Sequence, residues 1–384
     1  SYSATLTSTS YGQIFDTDIT VGNQTFTVLV DTGSSDLWVL GQDYICLDDT
    51  SNATLPRETC NFGTKTYTPS SSFHQVPDMF FGEQLGGGRV SGVLGTEVVT
   101  LGDLTVKEQH FGLVNKTSNT GDGINVGILG LGYPSMTSGH NGSIVGFDNT
   151  TFDFNRTTYN PVFNSMIAQG LVDPFFSIAL ERTPLNASTG PGGYLTLGGL
   201  PPVPHSTNFS SAPVEIAPLP INYTGNKAQR SFWYITVDGV AYGSSSNDSS
   251  SSTITTNTTS FGAVVDTGNF YTFLDDSLAS QINALFDPPA QLIPGSAPGT
   301  WSVACNATAP SFGVTIGGQT FFHDGRDLIL NATSTLHTQS CVSSIVSDAD
   351  VSYGNAGTSA ILGDPFFKNV VSVFDFGRNE MRFA

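Results

Sequence analysis

Val28-Leu29-Val30-Asp31-Thr32-Gly33 and Ala263-Val264-Val265-Asp266-Thr267-Gly268 follow one pattern, an apolar run that ends on Asp-Thr-Gly. A second short motif follows each copy in the same order. Ile128-Leu129-Gly130 begins 97 residues after Asp31, and Ile361-Leu362-Gly363 begins 95 residues after Asp266. Two motifs repeated in order at nearly equal spacing point to two related lobes. The expected division is 1–200, holding the Asp31 loop, and 201–384, holding the Asp266 loop. Between the motifs, short alternating or β-branched runs recur: Ile19–Val21, Thr25–Val30, Val98–Leu101, Tyr194–Leu197, Tyr234–Val237, Val314–Ile316 and Val370–Phe374. Hairpin signals at 21–24, 101–103 and 316–319 join several of them. Helical windows are few, the best being Val162–Gln169 and Ser277–Phe286. The fold class is mainly β.

An aspartate that ends a buried apolar strand is costly, because its charge loses water. A single copy reads as a turn cap that accepts nearby backbone N–H groups. Two copies, one per lobe, allow a pseudo-twofold axis to bring Asp31 and Asp266 face to face in a cleft. Carboxyls that close share a proton and titrate as a coupled pair. Such a pair suits hydrolysis: the ionised member takes a proton from water while its protonated partner hydrogen-bonds the scissile carbonyl. Gly33 and Gly268 let backbone amides approach the carboxylates. Thr32 and Thr267 are placed to tie the loops across the axis, and Ser34 to bond the outer oxygen of Asp31.

Thirteen Lys and Arg against 32 Asp and Glu give a formal charge of −19 and a pI near 4.3. That balance argues against a nucleic-acid partner and an anionic membrane surface. No apolar run reaches the length of a membrane helix. Ser-Tyr-Ser-Ala at the start does not resemble a signal peptide, so the chain reads as a mature form with its targeting segment removed. Cys46, Cys60, Cys305 and Cys341 permit three pairings, of which Cys46–Cys60 with Cys305–Cys341 keeps each bridge within one half; four buried thiols are the alternative. Asn-x-Ser/Thr occurs at Asn23, Asn52, Asn115, Asn141, Asn149, Asn155, Asn186, Asn208, Asn222, Asn247, Asn257, Asn306 and Asn331. Thirteen of 24 asparagines exceeds the roughly five or six that the Ser and Thr content predicts by chance. The excess points to a glycosylated, secreted, extracellular protein. Residues 244–260, nearly all Ser, Thr and Asn, read as an exposed loop, and the polar stretch 135–158 as a second surface insertion.

Beyond Asp31-Thr-Gly-Ser-Ser-Asp-Leu-Trp38 and Asp266-Thr-Gly, further landmarks stand in order. They are Tyr67-Thr-Pro-Ser-Ser-Ser-Phe73, Ser91-Gly-Val-Leu-Gly95, Pro161-Val-Phe163, Gln169-Gly-Leu-Val172, Phe232-Trp-Tyr-Ile-Thr-Val-Asp238 and Ile361-Leu-Gly-Asp-Pro-Phe366. Together they resemble the pepsin-like aspartic proteases, family A1, in a secreted fungal-type form, over nearly the whole chain. The resemblance implies a bilobal β fold, a peptide-binding cleft, a β-hairpin flap from the N-terminal lobe and synthesis as a zymogen. It implies acid endopeptidase activity that favours bulky apolar residues, with Asp31 and Asp266 catalytic. Leu85, Gly86, Gly87, Ile128, Phe232, Val264 and Ile361 then contribute to the cleft. It also implies the Cys46–Cys60 and Cys305–Cys341 disulfides, polypeptide substrates, inhibition by statine compounds such as pepstatin, and a monomer without cofactor or metal.

Two positions depart from the family pattern. Leu85 stands where the family usually has Tyr, whose hydroxyl bonds the indole that matches Trp38. Asn269 replaces the usual Thr or Ser after the second Asp-Thr-Gly. These keep a second reading open, a pepsin-fold binding or inhibitor-like protein with little catalysis, against which both aspartates stand. The other candidate motifs are weak. Gly86-Gly87-Gly88 lacks the Gly-Lys-Ser/Thr of a phosphate loop, and Gly127–Gly132 lacks dinucleotide spacing. The histidines at 74, 110, 140, 205, 323 and 337 show no metal-ligand spacing, so surface or turn roles are expected.

Overall fold

Two-residue turns set much of the strand register. Val21 pairs with Gln24, Leu101 with Leu104 and Ile316 with Gln319, and Gly22, Gly102 and Gly317 take the positive φ that such turns need. The computed structural model describes residues 1–144, 146, 147, 152, 155–245, 253–296, 298–332, 340–347 and 360–384. These form two compact units. The first comprises Ser1–Ala4, Asp16–Pro174 and Leu219–Phe232, and the second Thr5–Phe15, Phe175–Pro218 and Trp233–Ala384. The expected boundary at residue 200 falls inside the second unit. There Phe175–Leu180 pairs with Gly190–Leu197 on one side and with Ser372–Asp375 on the other, which ties residues 175–197 to the end of the chain.

In the first unit a long sheet runs in the order Arg156–Thr157, Gly139–Asn141, His74–Leu85, Gly88–Leu101, Leu104–Thr117, Leu37–Leu47, Gly127–Gly130, Gln24–Asp31 and Ile14–Val21. Its core includes Tyr67, whose ring lies 5.4 Å from Phe111 and 6.1 Å from both Phe26 and Phe73. Such pairs add about 0.5–1.5 kcal/mol each beyond burial. The second unit holds the strands that flank Phe175–Leu180, two four-stranded sheets and a five-stranded mixed sheet. The mixed sheet orders Tyr234–Val237, Phe261–Val265, Ala360–Leu362, Thr272–Leu274 and Ile345–Ser347. Phe374 stacks on Phe176 at 4.6 Å and meets Trp233 edge-on at 5.1 Å in its core.

Both expected helices form. Val162–Ala168 ends at Gln169 with Gly170 at φ 69°, while Asp276–Asn283 starts one residue earlier and stops three residues earlier than Ser277–Phe286. Asp275 explains the start, since its carboxylate accepts the Ser277 and Leu278 N–H groups. Cys46 is joined to Cys60 and Cys305 to Cys341. Loops of 14 and 36 residues make the bridges worth about 3 and 4 kcal/mol in the chain-entropy picture.

The two polar stretches turn out differently. Thr255–Asn257, from the Ser/Thr-rich loop, adds a largely exposed strand beside Gly239–Gly243, while residues 246–252 lie outside the described residues. Residues 135–158 are not merely a surface insertion. Gly139–Asn141 pairs with Met79–Phe81, and Arg156–Thr157 pairs with His140 and Gly139. Phe152 is fully buried beside Gly82, where an added Cβ would lie 2.5 Å from its ring. His140 and His323 are buried as well, not on the surface; His140 stacks on Phe80 and sets Nε2 2.9 Å from the Gly82 carbonyl. His337 lies outside the described residues.

Candidate active site

Each unit builds its aspartate loop in the same way. In the first, Gln24–Asp31 runs parallel to Gly127–Gly130 with Leu29 opposite Ile128 and Val30 opposite Leu129. In the second, Phe261–Val265 runs parallel to Ala360–Leu362 with Val264 opposite Ile361 and Val265 opposite Leu362. Counted from the aspartate, the registers are identical. The chain then returns on the far side of the Ile-Leu-Gly strand: Leu37 and Trp38 face Leu129 and Ile128, and Thr272 and Phe273 face Leu362 and Ile361. Each loop is therefore threaded around its Ile-Leu-Gly strand, and the glycine makes room. A Cβ on Gly130 would lie 2.4 Å from the Asp36 nitrogen, and one on Gly363 2.2 Å from the Asn269 and Tyr271 oxygens.

The carboxyls are clasped by their own loops. Asp31 and Asp266 are 6% and 8% exposed. The Gly33 N–H donates to Asp31 Oδ1 at 2.7 Å, and the Gly268 N–H donates to Asp266 Oδ1 at 2.8 Å. Ser34 donates its hydroxyl to Asp31 Oδ2 at 2.5 Å. The fourth residue of the second loop is used otherwise: Asn269 Oδ1 accepts the Tyr271 N–H at 2.9 Å, which turns this side chain onto its own backbone. Thr32 and Thr267 are buried beside their aspartates.

The residues expected to line a cleft divide by burial. Val264 and Ile361 are 1% exposed, and Ile361 packs with Phe273 and Val346. These two hold the Asp266 strand in the core and offer no open surface; Ile128 and Phe232 are also buried. Gly86 and Gly87 close the turn between His74–Leu85 and Gly88–Leu101, and Leu85, half-buried, pairs with Gly88. Gln84 Nε2 reaches the Leu85 and Gly88 carbonyls at 2.9 and 3.3 Å, bracing that turn from within. Trp38 is fully buried and its indole Nε1 has no acceptor among the described residues.

Four charged or polar side chains near this loop were not singled out in the sequence. Asp36, from the Asp31 loop, accepts the Tyr159 hydroxyl and, at 3.2 Å, the Ser138 N–H. Arg156 donates to the Met136 carbonyl and the Ser138 hydroxyl at 2.8 and 2.7 Å. Glu83, from the strand that leads into the Gly86-Gly87 turn, is 4% exposed. Asp36 lies inside a quoted motif, and Glu83 interrupts the apolar run from Phe80; those were the available signals.

Of the sequons, Asn149 and Asn247 lie outside the described residues. Asn23, Asn52, Asn115, Asn141, Asn155, Asn186, Asn208, Asn222 and Asn306 are exposed, whereas Asn257 and Asn331 are half-buried. Asn331 already donates its amide nitrogen to the Leu185 carbonyl.

The sequence profile of the eukaryotic aspartyl proteases matches residues 14–384. A protein of Aspergillus fumigatus named as a probable aspartic-type endopeptidase is 39% identical over 385 residues, spanning 100% of this chain and 81% of its own. Cathepsin D of Chionodraco hamatus is 31% identical over 374 residues, spanning 94% of this chain and 78% of its own. The crystal structure of an aspartic proteinase from Irpex lacteus superposes with a TM-score of 0.71, covering 100% of this chain and 96% of that one; at 23% identity it speaks for the fold alone. Two Asp-Thr-Gly loops in matching registers agree with that profile, and the chain belongs to the eukaryotic aspartyl protease family as an aspartic-type endopeptidase, a hydrolase of peptide bonds.

Proposed function

We propose that the chain is a secreted acid endopeptidase in which Asp31 and Asp266 hold one water and share one proton. The observation that carries this is the equivalence of the two loops, each presenting a carboxyl at the end of a buried strand with a glycine N–H on its Oδ1. The ionised carboxylate removes a proton from the water as it attacks the scissile carbonyl carbon. The protonated partner hydrogen-bonds the carbonyl oxygen and stabilises the charge that develops there. Within this proposal Asp31, which accepts the Gly33 N–H and the Ser34 hydroxyl, is taken as the base and Asp266 as the acid.

Exposed sequons and two disulfides support the secreted reading. Polypeptides with bulky apolar residues at the cleaved bond are the proposed substrates, and the protein acts as a monomer inhibited by statine compounds such as pepstatin. The test is digestion of an unfolded protein at acid pH with and without pepstatin. Cleavage that the inhibitor abolishes is expected; no cleavage at any acid pH, or cleavage indifferent to the inhibitor, overturns the reading.

The flap belongs to the same proposal. With Leu at 85, the Trp38 indole lacks the tyrosine hydroxyl that the family supplies, and a buried unmet donor costs about 1–3 kcal/mol. Leu85→Tyr is expected to change kcat/KM by at least about threefold, equivalent to about 0.65 kcal/mol, and to alter the preference for the residue before the cleaved bond. A peptide-library profile that matches the parent would show that the flap residue does not set specificity.

A further inference from the structure

Behind Asp31 the first unit buries two more carboxyls that the reaction described above does not use. Asp36 is 0% exposed and Glu83 4%, and Asp36 Oδ2 and Glu83 Oε2 are both enclosed without a donor among the described residues. They come from different elements, Asp36 from the Asp31 loop and Glu83 from the strand that carries the Gly86-Gly87 turn. The charged and titratable groups facing them are Asp31, Arg156, Tyr159 and His140. His140, which bonds the Gly82 carbonyl beside Glu83, lies in Gly139–Asn141, Arg156 pairs with it and Tyr159 follows.

Burial pushes Asp36 up to about 6, against the opposing pull of the Tyr159 hydroxyl, the Ser138 N–H and the Arg156 charge. Burial pushes Glu83 well above the usual carboxyl range, as do the charges of Asp36 and Asp31, with Arg156 opposing. In acid both carboxyls hold their protons, and Ser138 joins the strand to the loop, its carbonyl accepting the Gly82 N–H at 3.1 Å and its N–H donating to Asp36 at 3.2 Å. As the pH rises, Asp36 ionises against Arg156. A further charge on Glu83 leaves its Oε2 without a donor among the described residues and lies in the field of Asp31, the proposed base. An ionised Glu83 must find water, which draws the flap strand off the Asp31 loop.

We propose that Asp36 and Glu83 are positioning residues that hold the flap strand against the Asp31 loop, and that their ionisation removes activity separately from the Asp31–Asp266 pair. The inference rests on Asp31 being catalytic. Two independent deprotonations that each abolish activity make log kcat/KM fall by two per pH unit, whereas one gives a slope of one. Initial rates are taken after jumps from pH 4, with return jumps to exclude irreversible loss. At its alkaline limit the parent, in which the Asp31–Asp266 pair also gives up its shared proton, is expected to approach a slope of −3, and Glu83→Gln and Asp36→Asn each a slope of −2. At pH 7, with each enzyme normalised to its own rate at pH 4, Asp36→Asn then retains about tenfold more activity than the parent. A parent slope that never becomes steeper than −1, or variants whose slope equals the parent's, overturns the proposal, and the parent slope needs no variant to fold. Full activity in Asp31→Asn would instead overturn the underlying assignment, whatever the slopes.

Discussion

Asp31→Asn and Asp266→Asn are each expected to lower kcat/KM at acid pH by about three to four orders of magnitude. Asparagine keeps the shape of the side chain, and its Oδ1 still accepts the Gly33 or Gly268 N–H, so the loops should hold their form. What is lost is the ionisable proton. Without a carboxylate at 31 no group takes the proton from water, and without a carboxyl at 266 no acid protects the developing oxyanion. Because the two act as one unit, the double variant should be little worse than either single one. Activity within tenfold of the parent in either variant, at matched far-UV circular dichroism, would mean the water is not shared by these two groups.

Asp36→Asn is expected to abolish a large part of the stability that the parent loses on leaving acid. Burial raises Asp36 from its ordinary 3.8 to about 6, so between those values the folded chain binds more protons than the unfolded one. Stability therefore falls as pH rises from about 4 to about 6, by about 3 kcal/mol for this group, and levels off above. Glu83 is shifted in the same direction and adds a further loss at higher pH. Asparagine at 36 still accepts from Ser138 and Tyr159 but has nothing to ionise. Urea midpoints at pH 4 and 6.5, taken in an Asp266→Asn background to prevent self-digestion, should separate strongly in that single-site reference and far less once Asp36→Asn is added. Equal separation in both would assign the alkaline loss to other carboxyls.

The features legible in the sequence are those whose residue type is demanded locally. Asp-Thr-Gly needs its glycine because the next amide folds back onto the carboxylate, and Ile-Leu-Gly needs Gly130 and Gly363 because the loop passes within van der Waals contact. Gly22, Gly102 and Gly317 mark hairpins for a similar reason. What escaped the sequence depends on partners far along the chain. Polarity made residues 135–158 look like surface, yet Arg156, and Tyr159 just past the stretch, are drawn inward by Asp36, some 120 residues earlier. Asp36 and Glu83 look like ordinary charges until both are buried. Val264 precedes the second Asp-Thr-Gly and Ile361 opens the second Ile-Leu-Gly, but the parallel pairing turns them into the core.

The short strands beyond the flap hairpin also bear on how the protein behaves in concentrated solution. An exposed strand border invites a second molecule to add on, molecule after molecule, into fibrous aggregates. Gly139–Asn141 occupies that border along Met79–Phe81, and the outermost strand left is the dipeptide Arg156–Thr157, too brief and too charged to be copied. Among the described residues, the first unit is thereby shielded from fibril growth on this side at high protein concentration.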